Sequence, residues 1–127
     1  MPLRVGIDLV VVEEISESLA THGAHYLDRV FTPGEQRDCT TPAGLDPARL
    51  AARFAVKEAT MKVLRIGDHA LAWTDIEVRR DPEGWVDVAL AGRAAALAGE
   101  VGISDLAASL THERGHAAAV VVAEIRS

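Results

Sequence analysis

The chain has 127 residues, 49% of them hydrophobic and 25% charged, with 13 Lys+Arg against 19 Asp+Glu for a formal net charge of -6. That length and composition suit one soluble globular domain over residues 1–127, with enough chain to bury a core unaided. The acidic balance argues against general nucleic-acid binding, and no apolar run approaches the roughly 20 residues of a membrane span.

Leu3–Asp8 predicts a short strand, with Val5 and Ile7 on one side and Asp8 at its exit. Val12, Ile15 and Leu19 then fit one helical face up to about Ala20, with Glu13, Glu14 and Glu17 largely outside it. Thr32-Pro33-Gly34-Glu35 is a helix start in which Thr32 caps and Glu35 can bond back. Thr40–Asp46 is a loop by composition, and Asp46-Pro47 opens the longest helix, to about Leu64. Thr74–Arg80 and Trp85–Leu90 alternate like strands around the turn sequence Asp81-Pro82-Glu83-Gly84. Gly92–Val101 is an Ala-rich helix ended by Gly102. Leu106–Thr111 and Ala117–Ile125 complete the set as strands, the second central by its Ala/Val content. This order predicts an α+β domain with a largely antiparallel sheet packed with helices.

The N-terminal residues lack a basic stretch followed by a long apolar one, so no secretory leader is expected. The single cysteine, Cys39, cannot form an internal disulfide. Both point to a reducing, cytoplasmic setting.

Charge is unevenly spread. Arg49, Arg53, Lys57, Lys62 and Arg65 face only one acid, Glu58, within the long helix and its end. A basic helix on an acidic protein marks either a local anion site or a solvated face. Glu58 falls inside the apolar arc formed by Leu50, Phe54 and Met61, widened by Ala51 and Ala55, and Lys62 lies one turn on. Charged groups in an apolar arc are costly unless paired or coordinating, although an ordinary i,i+4 Glu–Lys pair on the rim would also fit. Asp8 moves the balance, because two converging carboxylates suit Mg²⁺ with water and phosphate filling its remaining positions. Arg53, Lys57 and Lys62 would then neutralise phosphate charge.

Other candidates carry less. His112-Glu113-Arg114-Gly115-His116 matches H-E-x-x-H, but it contains Gly115 and lies between two strand-like segments, so it reads as a hairpin turn rather than a zinc helix. His112 alone, at a strand end, fits either a phosphate ligand or a solvent-facing turn residue. His22 and His25 lack a completing acid or cysteine and read as surface residues. Cys39 has no neighbour to lower its pKa, and Trp73 and Trp85 bracket the hairpin as packing residues.

Together these pieces resemble the phosphopantetheinyl transferases of the holo-acyl-carrier-protein synthase type. Gly6-Ile7-Asp8 is similar to the family's N-terminal G-x-D, and Arg53-Phe54-Ala55-Val56-Lys57-Glu58-Ala59-Thr60-Met61-Lys62 to its R-F-A-x-K-E-A-x-x-K helix. Ser109-Leu110-Thr111-His112 resembles its S-x-S-H ending, with Thr111 in place of the more usual Ser. The resemblance implies transfer of 4′-phosphopantetheine from coenzyme A to a serine of a carrier protein, releasing adenosine 3′,5′-bisphosphate. It implies Mg²⁺ on Asp8 and Glu58, catalytic help from Lys62, and coenzyme A phosphate contacts from Arg53, Lys57, Lys62 and His112. Glu58 and a metal-bound water both fit as the base. A homotrimer with sites between subunits is implied as well. Fatty-acid, polyketide and peptide carriers all fit. The alternative is a catalytically silent coenzyme A- or nucleotide-binding module of the same fold, against which the joint presence of Asp8, Glu58 and Lys62 argues. One departure is Glu14, beside Glu13, where the family often has Arg facing the acidic carrier.

Overall fold

The computed structural model describes residues 2–67 and 70–126. The elements run β1 (Leu3–Val11), α1 (Val12–His22), α2 (Ala24–Val30), α3 (Pro33–Asp38), β2 (Thr40–Thr41), β3 (Gly44–Leu45), α4 (Pro47–Leu64), β4 (Ile76–Arg80), β5 (Val86–Leu90), α5 (Gly92–Val101), β6 (Ile103–Glu113) and β7 (His116–Ile125). Three antiparallel strands in the order β1-β7-β6 form the main sheet, while β4-β5 and β2-β3 are separate hairpins. The expected α+β, antiparallel architecture holds.

Helix α4 organises the core. Asp46 Oδ1 accepts from the Ala48 amide at 3.0 Å, Pro47 supplies the first helical position, and Arg65 in the left-handed region ends the helix. Leu50, Ala51, Ala52, Ala55, Val56, Ala59 and Val63 are buried along it. Because so many are alanine, the helix lies close on the sheet. Arg4, from β1, donates to the Val63 carbonyl at 3.1 Å and satisfies one of the orphan acceptors at the helix end. The Thr32–Glu35 capping box opens α3 as the sequence predicts.

Alternation on β1 divides its side chains between two environments. Gly6 and Val10 are buried and Asp8 is partly buried, toward α4. On the other face Leu3, Val5, Ile7 and Leu9 are 62–68% exposed, an open apolar stripe.

Several boundaries differ from expectation. Strand β1 passes Asp8 because its pairing with β7 continues to Val11 opposite His116. Strand β6 starts at Ile103 and ends at Glu113 for the same reason. Residues 73–75 form a 3-10 turn before β4, and α2 has too few turns to show a period in the sequence. The H-E-x-x-H segment is a β6–β7 hairpin, with Glu113 opposite His116 and positive φ at Arg114 and Gly115. Among the described residues no helix is long and apolar enough to cross a membrane.

Candidate active site

The site begins with a missing side chain. A Cβ on Gly6 would collide with the carbonyl of Ala59 and come 3.1 Å from Val63 Cγ2. Only glycine lets β1 pass beneath α4 at that height. Two residues on, along the same face of the strand, Asp8 meets the next part of the helix.

There the structure gathers Asp8, Glu58 and Lys62. Lys62 Nζ donates to the Ile7 carbonyl at 2.7 Å and lies 3.4 Å from Asp8 Oδ1, with 54% of its side chain exposed. The ammonium turns to Asp8, not to Glu58 as an i,i+4 pair would. Burial raises the Glu58 pKa above the ordinary value; the Asp8 charge adds to this and Lys62 opposes it. Two oxygen-donor carboxylates that repel one another across a cleft are a donor set suited to a hard divalent cation.

Asp8 and Glu58 line a cleft of about 540 Å³ between β1, α1, α2 and α4. Phe54, one turn before Glu58, and Trp73 form its apolar wall, stacked with centroids 4.9 Å apart at 29°. Glu14 and Arg29 line it as well. Burial raises the pKa of Tyr26, another lining residue.

The remaining candidates lie elsewhere. Lys57 does not face the cleft: it is fully buried, 2.8 Å from Glu35 Oε1, and donates to the carbonyls of Trp73 (3.1 Å) and Ile76. Its three donors are thereby used, which corrects its assignment to a coenzyme A phosphate. Arg53 is 4% exposed; its Nη1 donates to the Arg49 carbonyl at 3.3 Å, and its Nε is buried without a hydrogen-bond partner. His112 is exposed on β6, in register with Ala117 of β7, which itself pairs with Val10 of β1. Neither lines the cleft. Cys39 is buried, and burial pushes its thiol up to about 11, so it is no nucleophile. Trp85 is 73% exposed rather than packed.

Sequence reasoning did not assign Phe54 or Trp73 to the site. Phe54 lies one turn from Glu58, a spacing visible in the sequence, but its apolar character assigned it to the core. Trp73 and Arg29 reach the cleft through tertiary packing, for which no local pattern exists.

The sequence and the fold have counterparts among known proteins. A family model, the 4′-phosphopantetheinyl transferase superfamily, matches residues 4–121. A holo-[acyl-carrier-protein] synthase of Moorella thermoacetica is 42% identical over 96% of this chain and 94% of its own length. One from Desulforudis audaxviator is 41% identical over 97% and 93%. Among solved structures, the Chronobacterium ammoniagenes ACPS–CoA complex superposes with a TM-score of 0.86 at 31% identity, covering 100% of both chains. Matched along nearly its whole length in sequence and in fold, the chain belongs to the 4′-phosphopantetheinyl transferase superfamily.

Proposed function

We propose that the chain is a holo-acyl-carrier-protein synthase, transferring 4′-phosphopantetheine from coenzyme A to a serine hydroxyl of an apo carrier protein and releasing adenosine 3′,5′-bisphosphate. The observation that carries this reading is the meeting of Asp8 and Glu58 at one cleft, with the Lys62 ammonium 3.4 Å from Asp8 Oδ1. Relatives at about 40% identity are named for the activity, and a structurally similar relative binds coenzyme A. The serine oxygen attacks the phosphorus nearer the pantetheine, the P–O bond to the bridging oxygen breaks, and the serine proton is released. Positioning and charge neutralisation supply most of the catalysis in such a transfer.

Asp8 and Glu58 would hold Mg²⁺, which when bound supplies charge neutralisation at the pyrophosphate. Lys62 has an exposed ammonium beside Asp8 and is placed to offset negative charge on the reacting or leaving phosphate. Arg53 and His112 are the coenzyme A phosphate contacts; the orphaned Arg53 Nε is the kind of buried donor that an anion would satisfy. These two groups lie away from the cleft within one chain, and the outward face of β1 is apolar and exposed, which supports a homotrimer with sites shared between neighbours. A cytoplasmic setting suits the free Cys39 thiol.

Incubating an apo carrier with coenzyme A, Mg²⁺ and this protein tests the reading by intact-mass spectrometry. The carrier should gain one phosphopantetheine as the bisphosphate appears. Coenzyme A binding without transfer to fatty-acid, polyketide or peptide carriers would instead establish the silent module.

A further inference from the structure

Among the described residues the best-buried charged side chains form a pair outside the cleft lining. Glu35 and Lys57 are both 0% exposed. Each oxygen of Glu35 is used: Oε1 accepts from Lys57 and from the Thr32 amide at 2.8 Å, and Oε2 accepts from the Val78 amide at 2.8 Å. Lys57 continues to the carbonyls of Trp73 and Ile76. The pair therefore ties the start of α3, the middle of α4, the turn at 73–75 and the edge of β4 to a single point.

One of those ties reaches the cleft. The Trp73 carbonyl is held by Lys57, while the Trp73 ring stacks on Phe54, a residue of the same helix one turn earlier. Trp73 is fixed to α4 twice, by its backbone and by its ring. Removing the Lys57 bond would take away the backbone tie of Trp73 to α4 and leave the ring stacking on Phe54.

We infer that Glu35 and Lys57 are positioning residues for the reaction, holding the Trp73–Phe54 wall at a fixed height over Asp8 and Glu58 so that bound substrate packs against it. This rests on the proposed transferase reading. A buried ion pair is poor evidence for stability by itself, since apolar residues of similar volume often replace one without loss. That property supplies the experiment.

In a Trp85→Phe background Trp73 is the sole tryptophan. There, Glu35→Leu/Lys57→Met should fold, and Trp73 should become about twofold more accessible to acrylamide with a red-shifted emission. KM for coenzyme A or for the carrier should rise about tenfold or more, with kcat changed less than about threefold. A purely structural pair would lower the melting temperature and leave Trp73 accessibility and KM unmoved in the folded protein, which would overturn the inference. Trp73→Ala, at a partly exposed site, provides an arm that does not depend on the double variant folding: it should raise the same KM at least about fivefold. An unchanged KM there also overturns the inference. Combined with the pair replacement, Trp73→Ala should add little, because both act through one wall; additive losses refute it. Tryptophan emission does not require turnover, so failure of the wild-type protein to modify any carrier would sink the transferase reading while leaving the emission result standing.

Discussion

Gly6 and Ala59 touch backbone to backbone, with no room for a methyl group between strand β1 and helix α4. That contact sets the separation at which Asp8, two residues along the strand, faces Glu58 and Lys62. Gly6→Ala must push the helix away or force both backbones to shift, at a cost of about 1–3 kcal/mol for overpacking. Turnover should fall together with the unfolding midpoint. Unaltered kinetics and an unaltered urea midpoint would show that the contact does not set the site.

The two carboxylates should behave as one unit. Asp8→Ala and Glu58→Gln should each lower turnover by orders of magnitude while circular dichroism and melting remain near wild type. The double variant should be little worse than either single one. Mg²⁺ titration calorimetry provides a second readout, with heat of binding lost in both single variants. Full activity in either single variant at ordinary Mg²⁺ levels removes that residue from the metal site.

The sequence exposes the candidate site triangle and conceals its surroundings for one physical reason. Asp8, Glu58 and Lys62 stand out because each is a charge in an apolar pattern, and the price of desolvation makes such a position informative. Lys57 carries no such signal: the sequence reads it only as one of the basic residues that would neutralise phosphate, and nothing along the chain pairs it with an acid. Glu35 looked like an ordinary capping-box residue, and only tertiary packing carries its carboxylate to α4. The opposite error arose at Trp73: an aromatic beside a hairpin is packed more often than not, and Trp73 both packs on Phe54 and lines the cleft. Strand ends are not legible along the chain because pairing partners prolong β1 and β6 beyond their sequence patterns.

Acid stability has an identifiable contributor. The Thr32 hydroxyl, followed by Arg79, holds the Glu77 carboxyl below the ordinary glutamate value. A depressed folded-state pKa means that the unfolded chain binds the proton first as pH falls. The stabilisation is therefore present above the ordinary value of about 4.3 and is lost as pH drops through the lower folded value. Glu77→Gln should reduce stability at pH 7 and flatten this part of the acid limb in urea titrations. An identical pH dependence in the variant would exclude Glu77 as a contributor.

Assembly should depend on the open side of the sheet. Leu3, Val5, Ile7 and Leu9 form a continuous apolar row, the kind of surface that soluble proteins cover with a partner. If the proposed trimer forms through this row, Val5→Glu/Leu9→Glu should convert it to monomer in light scattering. Turnover should fall with it, because Arg53 and His112 lie away from the cleft of their own chain. A wild-type protein that is a fully active monomer refutes the shared-site arrangement.

Carrier choice should follow the charge at the cleft mouth. The cleft is lined by three carboxylates, Asp8, Glu14 and Glu58, and by one guanidinium, Arg29. Exposed Glu13 and Glu17 extend the negative charge along α1. A carrier must bring its serine past this helix, and like charges at a rim slow association and disfavour the wrong partner. Strongly acidic carriers should therefore be used poorly, and a carrier with a neutral or locally basic surface beside its serine used well. The discrimination should appear in carrier KM and not in coenzyme A KM, and it should shrink as salt shortens the screening length to about 8 Å at physiological ionic strength. Glu14→Arg reverses the charge at the residue that lines the cleft. It should lower KM for an acidic carrier, most strongly at low salt, while leaving coenzyme A KM in place. Carrier kinetics that do not respond to this reversal at low salt would show that α1 does not select the partner.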